Sequence, residues 1–336
     1  MTSNIIEPPT TNSTFNEDSQ ESLFEPKIDL TPTPAPSAKL TQLTAVHDTP
    51  EGRAQFVIDL IIFTAPVKQA LDSIDALMHR SRTISAPGGA ILLGDGGTGK
   101  TFISNRLLRR YPPQHGRLTS FVPAVAITLE NAPKVEDVKS AILSSLGQKI
   151  TTRKLTTAER SDDVIRALRA CNTCCLLIDE AHHLQLTSGR RQNKDRLAGL
   201  VGDYLKTLYD RTRIAFIFFG KPSLGDLFED DEQLASRWPG RIELEPYKMD
   251  EHWTALLSVL DEALPMAEKA GLDSNGYPSA IYGFTQGNFR RLKHFLSEAV
   301  RQAAMDSSSA IQPTHLQQAY YLLGYPSPNP FNDLAA

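Results

Sequence analysis

This 336-residue chain is poor in cysteine, in long apolar runs and in excess charge of either sign. Its 3 cysteines, Cys171, Cys174 and Cys175, lie together before an apolar strand. An odd, clustered set fits a reducing cytoplasm better than a disulfide framework. A zinc site needs four ligands, and the histidines nearest in sequence, His182 and His183, lie beyond that buried strand. As adjacent residues they are expected to face apart, as surface histidines relaying nucleotide state. No apolar run approaches the ~20 residues of a membrane span. The longest candidate, Phe56 to Phe63, is interrupted by Asp59. Met1–Gln20 is polar without an apolar core, so no secretory signal is expected. A net charge of −4 excludes a wholesale basic coat for nucleic acid, and any DNA contact must be local. No separate trio of spaced acids marks nuclease or strand-transfer chemistry.

The small net charge hides an uneven distribution. Residues 1–50 carry seven acids against two bases, with seven prolines and fourteen serines or threonines. Without apolar periodicity this reads as a disordered acidic tail, either solvating or a docking peptide around Leu23–Phe24 or Ile28–Leu30. The remainder balances to +1. Order is expected from Thr49-Pro50-Glu51, with helical spacing through Phe56, Val57, Leu60 and Ile61. A second helix follows Pro66, with Val67, Ala70, Leu71, Ile74, Leu77 and Met78 on one face. Apolar strands are predicted at Ala90–Leu93, Val122–Leu129, Cys174–Ile178, Ile214–Phe219 and Arg241–Leu244. Helices fall between them at Lys100–Arg110, Val135–Leu146, Ala158–Ala170 and Lys194–Asp210. Continuous apolar strands alternating with helices imply an α/β fold, a parallel sheet covered on both faces. After Pro246 only helices are read: Asp250–Leu260, Tyr277–Tyr282, Asn288–Ala304 and Pro313–Leu323. The expected domains are the tail 1–50, a nucleotide-binding domain 51–245 that includes N-terminal helices 51–82, an all-helical lid 246–324, and a C-terminal tail 325–336.

Two motifs carry chemistry. Gly94, Asp95, Gly96, Gly97, Thr98, Gly99, Lys100 and Thr101 form a phosphate-binding loop (Walker A) between a strand and a helix. Its backbone N–H groups surround phosphates, Lys100 reaches the β- and γ-phosphates, and the Thr101 hydroxyl ligates Mg²⁺. The helix N-terminus adds partial positive charge. The second motif, Cys174-Cys-Leu-Leu-Ile-Asp179-Glu180, delivers acids to the carboxyl edge of the sheet (Walker B). Asp179 suits the Mg²⁺ shell, and Glu180 suits the base for an attacking water. ATP and Mg²⁺ are therefore the expected cofactors and ATP hydrolysis the expected reaction.

The phosphate loop, the Leu-Leu-Ile-Asp-Glu-Ala-His-His-Leu run, Ser236-Arg237-Trp238 and Gly287-Asn-Phe-Arg290 fall in the order of AAA+ ATPases. Across about residues 51–324 the arrangement resembles the TnsC/TniB family of transposition regulators. The resemblance implies an AAA+ P-loop NTPase of ASCE type with a helical lid. It implies an arginine finger at Arg237, with Arg241 as rival, reaching a neighbouring subunit's γ-phosphate as a catalytic group. It implies a sensor 2 arginine at Arg290, with Arg291 as alternative. At the sensor 1 position the sequence departs from the pattern with Gly220-Lys221-Pro222-Ser223, leaving Lys221 or Ser223. Phe63-Thr-Ala-Pro66 lies where the family places part of its adenine pocket, and core packing accounts for it equally well.

Family members assemble with ATP as rings or helical filaments on duplex DNA, with a heptamer or a hexamer-like turn. They link a target-selection protein, such as a TniQ-type partner of a CRISPR-guided complex or a site-specific binder, to the transposase. Candidate DNA-backbone contacts here are Lys134, Lys139, Lys149, Arg153 and Lys154, with Thr151 and Thr152 as neutral partners. Arg190, Arg191 and Lys194 form a second basic loop. The expected function is an ATP-dependent, DNA-binding regulator of transposition. The alternatives are an AAA+ ATPase of a secretion or other assembly without a DNA role, and a non-hydrolysing ATP-switch scaffold.

Overall fold

A computed structural model describes residues 49–60, 62, 64–115, 120–148, 157–185, 198–332 and 334. The acidic tail lies outside them. Helix α1 (Pro50–Asp59) starts under Thr49, whose hydroxyl accepts from Gly52 N–H at 3.0 Å. Helix α2 (Ala65–Thr83) buries one stripe, Val67, Ala70, Leu71, Ile74 and Met78, at the expected spacing. Strand β1 (Gly89–Gly94) then runs into the phosphate loop and helix α3 (Lys100–Arg110). Two short strands outside the expected elements, β2 (Gln114–His115) and β3 (Ser120–Phe121), pair antiparallel. The sheet resumes with β4 (Ala124–Thr128), followed by α4 (Val135–Ser145) and α5 (Thr157–Ala170). Next come β5 (Cys175–Asp179), a 3₁₀ turn at Ala181–Leu184, α6 (Gly199–Thr212) and β6 (Ala215–Gly220).

The stretch before the last strand folds into two short helices outside the expected elements. These are α7 (Ser223–Asp230) and α8 (Glu232–Arg237). Leu224, Leu227 and Phe228 are buried at i, i+3 and i+4, and the Asp231 carboxylate caps α8 by accepting from Gln233 and Leu234 N–H. Strand β7 (Gly240–Leu244) closes the sheet. The five strands are parallel in the order β4-β5-β6-β1-β7. Insertion of β6 between the phosphate-loop strand and the acid strand is the ASCE arrangement of an AAA+ fold. Strands β1 and β6 are buried at every position, so both faces carry apolar side chains. Helices α2 and α3 cover one face around Ile74, Ile103, Leu92 and Ile217. Helices α4 to α8 cover the other around Val138, Ile142, Val164, Leu205 and Trp238.

The chain continues as α9 (Glu251–Ala263), α10 (Tyr277–Thr285), α11 (Phe289–Met305) and α12 (Pro313–Leu322). They share a third core around Trp253, Leu257, Ile281, Phe295, Val300 and Leu316. Helix α1 belongs to this core through Val57, a correction to its placement with the sheet. Its carbonyls are tied to α11, where Ser297 Oγ donates to Ala54 O at 2.8 Å and Lys293 Nζ to Leu60 O at 2.9 Å. Amphipathic spacing shows that a helix buries one face, and the choice of core is tertiary. No helix among the described residues is long and apolar enough to cross a membrane.

Candidate nucleotide site

The parallel register sets the site. Leu93 pairs with Gly220 and Gly94 with Leu244, so the phosphate loop leaves the sheet level with the ends of β6 and β7. Asp179 pairs with Thr128 at the end of β5. All these strands point the same way, so their carboxyl ends make one rim.

On that rim Lys100 Nζ donates to the carbonyls of Gly94 at 2.5 Å and Asp95 at 2.8 Å. Burial pushes the Lys100 ammonium below its ordinary range; Glu180, Asp179 and Asp95 pull it up, and Arg290 pushes it down. One lysine from the first motif, two acids from the second and an arginine from the lid are thus electrostatic neighbours. Asp179 Oδ1 accepts from Glu180 N–H at 2.8 Å. Burial raises the Asp179 carboxyl; the Glu180 N–H lowers it, the Glu180 charge raises it, and Lys100 and His182 lower it. The Thr101 side chain is exposed at the start of α3. A hydroxyl and a carboxylate beside an ammonium fit a nucleotide triphosphate carried with a hard, oxygen-seeking divalent cation.

Glu180 has left-handed backbone, φ 53°, which launches the 3₁₀ turn. Its Oε2 lies 3.2 Å from His182 Nδ1, although that nitrogen has no hydrogen-bond partner. Burial lowers the His182 imidazole below its ordinary range, helped by the charges of His183, Lys221 and Lys100 and opposed by Glu180. His182 and His183 do not face apart as expected. Their ring centroids are 4.3 Å apart at 33°. At the sensor 1 position, Lys221 is exposed within electrostatic reach of His182, and the Ser223 carbonyl accepts from Gln185 Nε2 at 2.5 Å.

The lid closes the rim through one residue the motif reading did not single out. Asn288 Nδ2 donates to Gly96 O at 2.7 Å, and Asn288 Oδ1 accepts from Arg291 N–H at 3.2 Å. One amide caps α11 and ties it to the phosphate loop. An asparagine before an apolar-periodic helix is a cap signal, so half of this role was readable. Gly97, at φ 89°, makes the approach possible. A Cβ there would stand 2.6 Å from Asn288 Oδ1 and 2.8 Å from Arg290 Cβ. Arg290 therefore sits against the loop, whereas Arg291 lies beside Tyr325. At the domain junction Tyr247 N–H donates to Gly287 O at 3.0 Å. A Cβ on Gly287 would come within 1.8 Å of Tyr247 O, so only glycine fits. On the sheet side, Val67 of α2 approaches Gly99 of the loop; Phe63 lies outside the described residues.

The other predicted residues are apart from this rim. Gly240 pairs with Ala90 near the start of β1, so Arg237 and Arg241 stand toward the amino ends of the strands. Arg237 donates to both Asp210 oxygens, at 3.3 and 2.8 Å, and to Gln233 O at 3.0 Å. Arg241 pairs with Glu229 and with Glu243, the latter at 2.7 Å. Lys134 is exposed at the start of α4. Lys139 is a correction: it is fully buried, 2.9 Å from Glu136 Oε1 and over the Tyr204 ring, so it is not a DNA contact. Lys149, Thr151, Thr152, Arg153, Lys154, Arg190, Arg191 and Lys194 lie outside the described residues.

Residues 54–249 match the sequence profile of the family described as bacterial TniB protein. A search of curated proteins gave no significant match. Among solved structures, Cdc6p from Pyrobaculum aerophilum superposes with a TM-score of 0.51 at 20% identity, covering 77% of this chain and 70% of that one. The Aeropyrum pernix ORC1 protein in complex with DNA gives 0.52 at 17% identity, covering 77% of this chain and 64% of that one. The Aeropyrum pernix ORC2 protein, in ADPNP and ADP complexes, gives 0.52 at 16% identity, covering 78% and 69%. At such identities these likenesses show the fold.

Proposed function

We propose, from the premise that this chain belongs to the bacterial TniB family, that it is a Mg²⁺-dependent ATPase that assembles on duplex DNA and regulates transposition. The observation that carries the ATPase reading is the convergence of Lys100, Asp179, Glu180 and Arg290 on one rim, with Asn288 holding the lid to the phosphate loop. Thr101 and Asp179 hold the Mg²⁺ of the nucleotide, and Glu180 takes a proton from the attacking water. Arg290 contacts the subunit's own phosphates.

Arg237 supplies the finger to a neighbouring subunit, which makes ATP a glue for an oligomer in ring or helical form. Its present ion pair with Asp210 is only partly buried, so release is inexpensive. Partly exposed pairs contribute about 0–1 kcal/mol, whereas an arginine finger is worth ~10³–10⁵ in rate. Duplex DNA runs against the basic segments at Lys134, Lys149, Thr151, Arg153 and Lys154 through backbone phosphate, so binding is salt-sensitive and weakly sequence-specific. The assembly then joins a TniQ-type or other target-selection protein to the transposase. The Aeropyrum pernix ORC1 protein, of the same fold, is a structure in complex with DNA, which supports this reading.

The test is electron microscopy of the full chain with a non-hydrolysable ATP analogue, with and without duplex DNA. Rings or filaments that need both are expected. Monomers under every condition overturn the proposal.

A further inference from the structure

We propose that Glu180, His182 and His183 form a second cation site, for a zinc-class divalent ion, separate from the Mg²⁺ position at Thr101 and Asp179. One donor atom from each of the three residues lies within 4.8 Å of the other two. His182 is the anchor. Its side chain is 10% exposed, and its Nδ1 is buried without a hydrogen-bond partner. A buried polar atom left unsatisfied costs about 1–3 kcal/mol, so an unpartnered one marks a place where something else is accommodated. Glu180 Oε2 lies 3.2 Å from that nitrogen, out of line for a hydrogen bond. Two ligands held ~2.0–2.1 Å from a tetrahedral ion stand roughly 3.3 Å from one another. The pair is therefore already spaced as two zinc ligands.

The local fold explains why the third donor arrives. His183 N–H donates to Glu180 O at 3.0 Å, closing the tight turn, and its ring lies 4.3 Å from that of His182. Two imidazoles and one carboxylate with an open fourth position form a donor set for zinc, whereas Mg²⁺ takes oxygen alone. Occupation holds the Glu180 carboxylate on the metal. It then no longer accepts a proton from water, while Lys100 and Arg290 still bind nucleotide. The ion thus stops hydrolysis without emptying the nucleotide site. This consequence rests on the ATPase reading; the binding itself does not.

The test has two arms. Co²⁺ is titrated into the full chain without nucleotide and followed by visible absorption. Saturable bands of a low-coordinate Co²⁺ site, displaced by Zn²⁺, are expected. His182→Ala and His183→Ala each weaken them by at least about tenfold, the lower end of what loss of even an outer partner of a ligand costs. His183→Ala, whose ring nitrogens are not among the buried unpartnered atoms, keeps the test valid if His182→Ala misfolds. No bands, or an intense sulfur-to-cobalt band from Cys171, Cys174 or Cys175, overturns the proposal. In the second arm Zn²⁺ is titrated against phosphate release with Mg²⁺ and ATP in excess. Inhibition that needs about tenfold more Zn²⁺ in His183→Ala supports it, and equal inhibition of both proteins, which places zinc at Thr101 and Asp179, overturns it. If the wild-type chain releases no phosphate, the cobalt arm still decides the site, and only the ATPase reading falls.

Discussion

The two ends of the central sheet treat arginine oppositely. At the carboxyl ends, Arg290 lies against the phosphate loop and makes no ion pair among the described residues, while Lys100 spends its donors on loop carbonyls. Toward the amino ends, Arg237 is gripped by both oxygens of Asp210 and Arg241 by Glu229 and Glu243. The first arrangement leaves positive charge concentrated where an anion is to bind. Burial penalises that charge, which is why Lys100 is pushed below its ordinary range. The second arrangement keeps positive charge neutralised and positioned by carboxylates. Trp238 fixes that position. It stacks on Phe216 at 5.5 Å between centroids and meets Phe218 edge-on at 4.7 Å. The residue after Arg237 is thus locked into the core while the arginine itself stays partly exposed.

This contrast breaks or sharpens at four points, in order of expected effect. Arg237→Ala lowers phosphate release by the DNA-bound assembly about 10³-fold, and Arg241→Ala leaves it near wild type. A loss carried by Arg241→Ala instead moves the finger to the next strand. Glu180→Gln lowers release about 10²-fold or more while a fluorescent ATP analogue still binds; release that persists makes Glu180 a bystander at the carboxyl end. Asn288→Ala removes the α11 cap and the tie to Gly96, costing about 1–2 kcal/mol in thermal unfolding, and an unchanged melting temperature shows the lid held by its core alone. Asp210→Ala changes stability by only about 0–1 kcal/mol and lets assembly on DNA begin at equal or lower protein concentration. Assembly that instead requires more protein means the pair with Asp210 orients Arg237 for its neighbour.

Much of the site was legible because its parts are local. A strand, a glycine loop and a helix in sequence define the phosphate loop, and an apolar strand ending in Asp179-Glu180 defines the acid pair. The motif leaves both Arg290 and Arg291 as candidates for the lid arginine, and only the fold shows which of them stands against Gly97 of the loop. Helices α7 and α8 rest on a short signal, the spacing of Leu224, Leu227 and Phe228 and the Asp231 cap. Lys139 was different in kind. Nothing in Val135–Ser145 alone states that Glu136 and Tyr204 enclose its ammonium, since Tyr204 arrives from α6.

By itself, then, the sequence determined the chemistry of the two motifs and the alternation of the main strands and helices, because backbone propensity, apolar period and loop glycines act over a few residues. It also determined that the near-neutral total charge conceals an acidic tail on a balanced body. Only the tertiary structure decided which segments meet. Parallel register gathers the ends of β1, β5, β6 and β7 on one rim, α1 joins the lid core through Val57, and Asn288 reaches the loop 192 residues before it. Such meetings depend on packing between surfaces distant in the chain, and a local pattern records only that each surface must be buried, leaving its partner unspecified.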